Sequence, residues 1–145
     1  MADVVNPSSP HIDRPFGWKF FYVTPETLTG VTDVTVVTLP ANTVIVDMKI
    51  ITVGAASGVS TTNIDVEVGA TGAGDTTVIS DAANGGSTLG TTSALTLPTV
   101  ANLLTINAIS LGGTPLVVNA EITYGGTETT APTYAIGILC GRNDY

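Results

Sequence analysis

Apolar and polar residues alternate with a period of two along several short stretches of this chain, and no window carries a convincing 3.6-residue stripe. Thr62 to Gly69 shows the pattern most cleanly. Ile64, Val66 and Val68 point one way, while Asn63, Asp65 and Glu67 point to a face that should be wet. Thr43 to Val53 places Val44, Val46, Met48 and Ile50 on one face and Asp47 and Lys49 on the other, with Ile45 and Ile51 making the charged face partly covered. Leu116 to Tyr124 and Thr133 to Cys140 alternate in the same way. Val31 to Leu39 is nearly all Val and Thr and stops at Leu39-Pro40-Ala41-Asn42, where Pro40 cannot donate to a ladder and Asn42 suits a turn. Thr76 to Ile79 and Ala94 to Leu97 are short strand candidates, the second ended by Pro98. Leu103 to Leu111 is apolar at 104, 106 and 108, and Ile109 and Leu111 fall off that phase, which predicts a strand with a bulge or bend. Ahead of all these, Phe16, Trp18, Phe20, Phe21 and Tyr22 form an aromatic block that reads as the first strand. The pattern predicts an all-β domain over residues 16–145, a β-sandwich or jelly roll of about eight strands. A small barrel fits the same periodicity. Residues 1–15, with Pro7, Pro10 and Pro15 and no hydrophobic period, read as an extended N-terminal arm.

Composition agrees with a sheet protein. Thr, Val and Ile make up more than a third of the 145 residues, and only 11% are charged. A chain of this length buries about 68–70% of its unfolded surface around one core. Charge narrows the function further. Four Lys/Arg against twelve Asp/Glu give a formal charge of −8, and the bases are Arg14, Lys19, Lys49 and Arg142, so residues 50–141 hold none. Nucleic-acid binding by phosphate neutralisation is thereby excluded as the main activity. A single cysteine, Cys140, gives no internal disulfide, and a single histidine, His11, gives no metal cluster or triad. The opening residues lack the basic start and apolar segment of a secretory signal, and no run of 18 apolar residues is long enough to span a membrane. The chain is expected to be made and assembled in a cytoplasm.

Candidate chemistry is thin, and no enzyme activity or cofactor is expected. Asp65 and Glu67 sit two apart on one strand face, but general-acid work needs a carboxyl raised by burial, which a solvated face does not supply. Gly69 to Asp75 has the glycines of a phosphate loop without a following Lys or helix, so it reads as a turn. Asp75 and Asp81 flank a short strand without the ligand spacing of a calcium loop. Cys140 alternates with Ile136 and Ile138 as a small core hydrophobe does. The aromatic block carries more information. Phe16, Trp18 and Phe20 share one strand face while Lys19 and Phe21 share the other, so a lone strand has bulky rings on both sides. Either a sandwich buries it centrally, or one face is an interface. The interface candidates are Arg14, Phe16, Trp18, Phe20, Phe21 and Tyr22.

The turn Leu39-Pro40-Ala41-Asn42 leading into Thr43-Val44-Ile45-Val46, the strand Lys49 to Val53, the run Asn63 to Gly69 ending in a Val-Gly step, Gly74-Asp75 and Ser80-Asp81-Ala82-Ala83 together resemble small virion proteins of tailed bacteriophages. A Gly-Gly-spaced hairpin from Ile109 to Tyr124 completes the resemblance, which spans residues 36–124. It departs from the pattern near Val78, where an Arg or aromatic residue is expected. The resemblance implies a β-sandwich subunit of the capsid decoration (cement) type, a homo-oligomer, often a trimer, on the outer capsid surface and bound to the major capsid protein. It carries over no catalytic residue. An acidic, base-poor chain suits such a place, because it is repelled by the genome. Two other readings remain open at this point: a tail or head-fibre component, and a carbohydrate-binding module presenting Trp18, Tyr124 or Tyr134 as a stacking platform.

Overall fold

The computed structural model describes residues 16–58, 62–71, 76–81 and 98–142. The N-terminal arm, with Arg14 and His11, and the strand expected at Ala94–Leu97 lie outside the described residues. The chain runs β1 (Gly17–Val23), β2 (Thr29–Leu39), β3 (Thr43–Gly54), β4 (Ser57–Gly58), β5 (Thr62–Gly69), β6 (Thr76–Asp81), α1 (Val100–Leu111), β7 (Leu116–Thr130) and β8 (Thr133–Arg142). The expected eight strands resolve into six of seven residues or more, the six-residue β6 and the two-residue β4. One antiparallel sheet has the order β1-β8-β3, and the other β2-β7-β5-β6, with β4 pairing the far end of β7.

The two sheets close on one core, as a mainly β sandwich. Ile45, Met48 and Ile50 of β3 and Tyr134, Ile136 and Ile138 of β8 meet Ile64, Val66 and Val68 of β5 and Leu116, Val118, Ala120 and Ile122 of β7 in one buried cluster. Each fully buried aliphatic side chain contributes about 1.5–3 kcal/mol relative to exposure. The turn between β2 and β3 has Asn42 at φ 63°, the left-handed conformation that Asn tolerates. It passes the chain from one sheet to the other.

Three local expectations need correction. In β3 the inward residues are Ile45, Met48, Ile50 and Thr52, while Val46 is exposed. A register shift between Ile45 and Asp47 inserts one extra residue, so the alternation changes phase at Val46. The strand expected at Leu103–Leu111 is the helix α1. Thr99 caps it: Asn102 N donates to Thr99 Oγ1 at 3.1 Å and Thr99 N donates to Asn102 Oδ1 at 3.2 Å, a reciprocal capping box. Consequently Ile109–Tyr124 is not a hairpin. Gly112 and Gly113 end the helix, with Gly112 N donating to Ala108 O and Gly113 at φ 99°, where a side chain would be strained.

The helix flanks the edge of β3. Ile45 N donates to Asn107 Oδ1 at 2.8 Å, and Asn107 Nδ2 donates to Ile45 O at 2.9 Å. Thr43 N donates to Ser110 Oγ and Asn42 N to Ser110 O. The Asn107 amide thus offers Ile45 the donor and acceptor that a neighbouring strand would have offered, and Ile106 enters the core beside it.

Candidate interface

Strand β1 alternates as the sequence requires. Val23 is buried and Phe21 packs against the core, whereas Phe16, Trp18, Phe20 and Tyr22 stand on the outer face of the three-stranded sheet. Of the described interface candidates, four therefore share one surface and Phe21 does not. Phe16 is 53% exposed, Trp18 37% and Tyr22 73%. An edge strand with a row of rings facing outward is not what burial at the centre of a sandwich would give.

The strand beneath explains how the rings lie. Register places Phe20 of β1 and Lys49 of β3 on either side of Gly137 in β8. A Cβ at Gly137 would fall 2.8 Å from Phe20 Cε1 and 3.1 Å from Lys49 Cγ. At Gly141, a Cβ would fall 2.9 Å from Cγ of the Phe16 ring. Two glycines of β8 thus provide the floor on which the β1 rings rest. The Trp18 and Phe20 rings stack with centroids 6.2 Å apart and an interplanar angle of 25°. Lys49 Nζ lies 4.2 Å from the centroid of Trp18 and 5.4 Å from that of Phe20. At an exposed site such a cation–π contact contributes about 0.5–1 kcal/mol. Val46 and Val53 are exposed on β3 as well. Sequence reasoning found the rings but not the glycines beneath them; Gly137 and Gly141 break the β8 run at its outward positions, and that was the available signal.

Charge divides between the sheets. Lys19, Lys49 and Arg142 all lie in β1, β3 and β8, and no strand of the other sheet has a base. On that other sheet, Asp33 of β2, Glu121 of β7 and Asp65 of β5 stand directly opposite one another across three strands. Burial, then the nearby charges of Asp33, Glu67 and Asp65, push the Glu121 carboxyl above its ordinary value. Asn119 Nδ2 donates to Asp33 Oδ1 at 3.2 Å.

The remaining candidates are quickly placed. Tyr124 and Tyr134 are buried in the core, which corrects their expected role in a stacking platform. Cys140 is buried and burial pushes its thiol up, with Lys19 opposing the shift. Asp65 and Glu67 are half-buried on the acidic face. Asp75, and the side chain of Asp81, fall outside the described residues. Among the described residues no group of three or more His, Cys, Asp or Glu side chains is placed to hold a metal ion, and no helix is long and apolar enough to cross a membrane. No protein-family model, curated protein or solved structure matches the chain.

Proposed function

We propose that the chain is a non-enzymatic structural subunit of a bacteriophage virion, a capsid decoration protein that binds the outer shell and stabilises it. The observation that carries this reading is the outward row Phe16, Trp18, Phe20 and Tyr22. These rings, held on Gly137 and Gly141, present rigid apolar area of the kind that anchors protein interfaces. Charge supports the orientation: the sheet with the rings holds the described bases, and the acidic sheet faces away from the shell. The strand order supports a jelly roll, common among capsid proteins: the chain changes sheet at each step from β1 to β2 to β3, β5 and β6 are neighbours in one sheet, β7 and β8 lie in different sheets, and α1 takes a strand's place beside β3. The partner is the major capsid protein, and the subunit acts as a homo-oligomer, with a trimer favoured. Its mechanism is area burial repeated by symmetry, each contact of a standard size near about 1,600 Å².

Sedimentation of shells that lack the protein provides the test. Wild-type chain should co-sediment with the shells, whereas Trp18→Ala, Tyr22→Ala and a chain without residues 1–15 should lose at least tenfold in occupancy while remaining folded. Wild-type occupancy by all three variants sinks the docking surface. Immunogold label on tails or fibres instead of shells moves the protein to another part of the virion.

A further inference from the structure

Among the described residues, Lys49 is the one base on the outer face of the three-stranded sheet, since Lys19 alternates with Phe21 and Arg142 with Cys140 on the opposite face. It does not reach for the rim. A lysine on an apolar surface ordinarily carries its ammonium out to water. The Lys49 stem instead passes over Gly137, and its Nζ ends over Trp18 and Phe20, two strands away. The cation stands inside the ring row, not at its edge. Lys49 is half-buried, and among the described residues it has no ion pair. Asp47, the carboxylate of the same strand, is turned to the backbone, with Oδ1 accepting from Met48 N at 2.8 Å.

We propose that the surface docked on the ring row presents a carboxylate that pairs with Lys49. The inference rests on the docking reading above and gives its partner a chemistry: a protein surface with apolar area around one Asp or Glu. Charge complementarity selects it. Docking excludes water from the centre of an interface, where the strongest contacts cluster. An ammonium is strongly hydrated, and drying it there without an opposite charge costs binding, because the Trp18 and Phe20 rings stabilise it without neutralising it. A carboxylate on the partner removes that cost. The rings also hold the cation in place before the partner arrives, so less side-chain freedom is lost on docking. Two ring rows packed face to face would set Lys49 against Lys49, which excludes the ring row of a second copy as occupant. The formal charge of −8 holds off the phosphates of a nucleic acid.

Carbodiimide coupling on decorated shells tests the pairing, because the reagent joins an amine to a carboxylate in contact with it, forming an amide with net loss of water. Peptide mass spectrometry should find Lys49 joined to an Asp or Glu of the shell protein. Co-sedimentation titrations give the energetic side. Lys49→Met keeps the stem over Gly137 and should bind at least about tenfold more weakly with unchanged circular dichroism. Lys49→Arg keeps the cation and should stay within about threefold of wild type. Lys49→Glu should bind more weakly than Lys49→Met, and Asp47→Asn as well as wild type. A loss in Asp47→Asn equal to that in Lys49→Met overturns the proposal, because Asp47 then supplies the charge. Lys49→Met at wild-type affinity also overturns it, as does a Lys49 that couples to no carboxylate or only to carboxylates of this chain. If Trp18→Ala loses the shells while Lys49→Met keeps them, the ring row is the docking surface and the pairing alone falls. A wild type that leaves the shells bare sinks the docking reading and the pairing together.

Discussion

The Phe20 ring rests on Gly137, with Cε1 only 2.8 Å from where a Cβ would stand. The glycine is buried because a ring from the next strand covers it. Gly137→Val therefore displaces the far end of Phe20 and the Lys49 stem together, and overpacking of this kind costs about 1–3 kcal/mol. The displaced ring no longer stacks on Trp18, the chain's single tryptophan. Trp18 emission should shift to the red in Gly137→Val, and shell occupancy should fall with it. An unchanged spectrum would show that the ring row does not depend on the glycine floor.

Asn107 and Ile45 make a second dependence. Asn107→Ala leaves the N–H and C=O of Ile45 without partners at a part-buried edge, a loss of about 1–3 kcal/mol. Asn107→Asp keeps an acceptor for Ile45 N but sets a carboxylate against Ile45 O, so it should do no better than Ala. Both variants should lower the urea midpoint with little change in slope and speed hydrogen exchange at the Ile45 amide. A midpoint within error of wild type would falsify the idea that the Asn107 amide substitutes for a strand.

The same residue shows why the sequence misleads about α1. Its inward face carries Asn107 and Ser110 where a helix normally carries apolar residues, and its outward face carries Val100, Leu104 and Leu111. Apolar residues on both sides erase the 3.6-residue period and leave a partial alternation that imitates a strand. The capping pair Thr99 and Asn102, directly after Pro98, was the legible sign. By contrast β5 and β7 were readable because one face is buried and the other carries Asp65, Glu67 and Glu121. The phase of β3 was not, because the extra residue at Val46 is set by pairing with β8. That Phe16, Trp18 and Phe20 share one face followed from alternation alone, while whether that face is exposed or buried at the centre of the sandwich needed the strand order, in which β1 is an edge.

Cys140 gives a probe of the core. Its side chain is buried between the sheets, and burial holds the thiol above its ordinary value, so little thiolate is present and a reagent cannot reach it. At pH 8 a maleimide should modify the folded chain at least about a hundredfold more slowly than the chain in denaturant, because reaction waits on opening. Comparable rates would mean that the β1-β8 edge opens freely, and that the aromatic row lacks a rigid base.

Glu121 sets the expected pH dependence. Its carboxyl is raised in the folded chain by burial and by Asp33, Glu67 and Asp65, so the folded state holds this proton more tightly than the unfolded state. Stability from this group is therefore highest at low pH and declines as pH rises from the ordinary carboxylate value of 4.5 through the raised folded value. Above that window the ionised side chain faces its three neighbours at full repulsion, moderated by solvent because the face is only half-buried. Glu121→Gln removes the titration while keeping shape and an acceptor. The variant should melt higher than wild type at pH 7, by an amount that shrinks with added salt, and the two proteins should converge toward pH 4. Equal melting temperatures at pH 7 and low ionic strength would mean that Asp33, Glu121 and Asp65 do not repel across β2, β7 and β5 as their register requires.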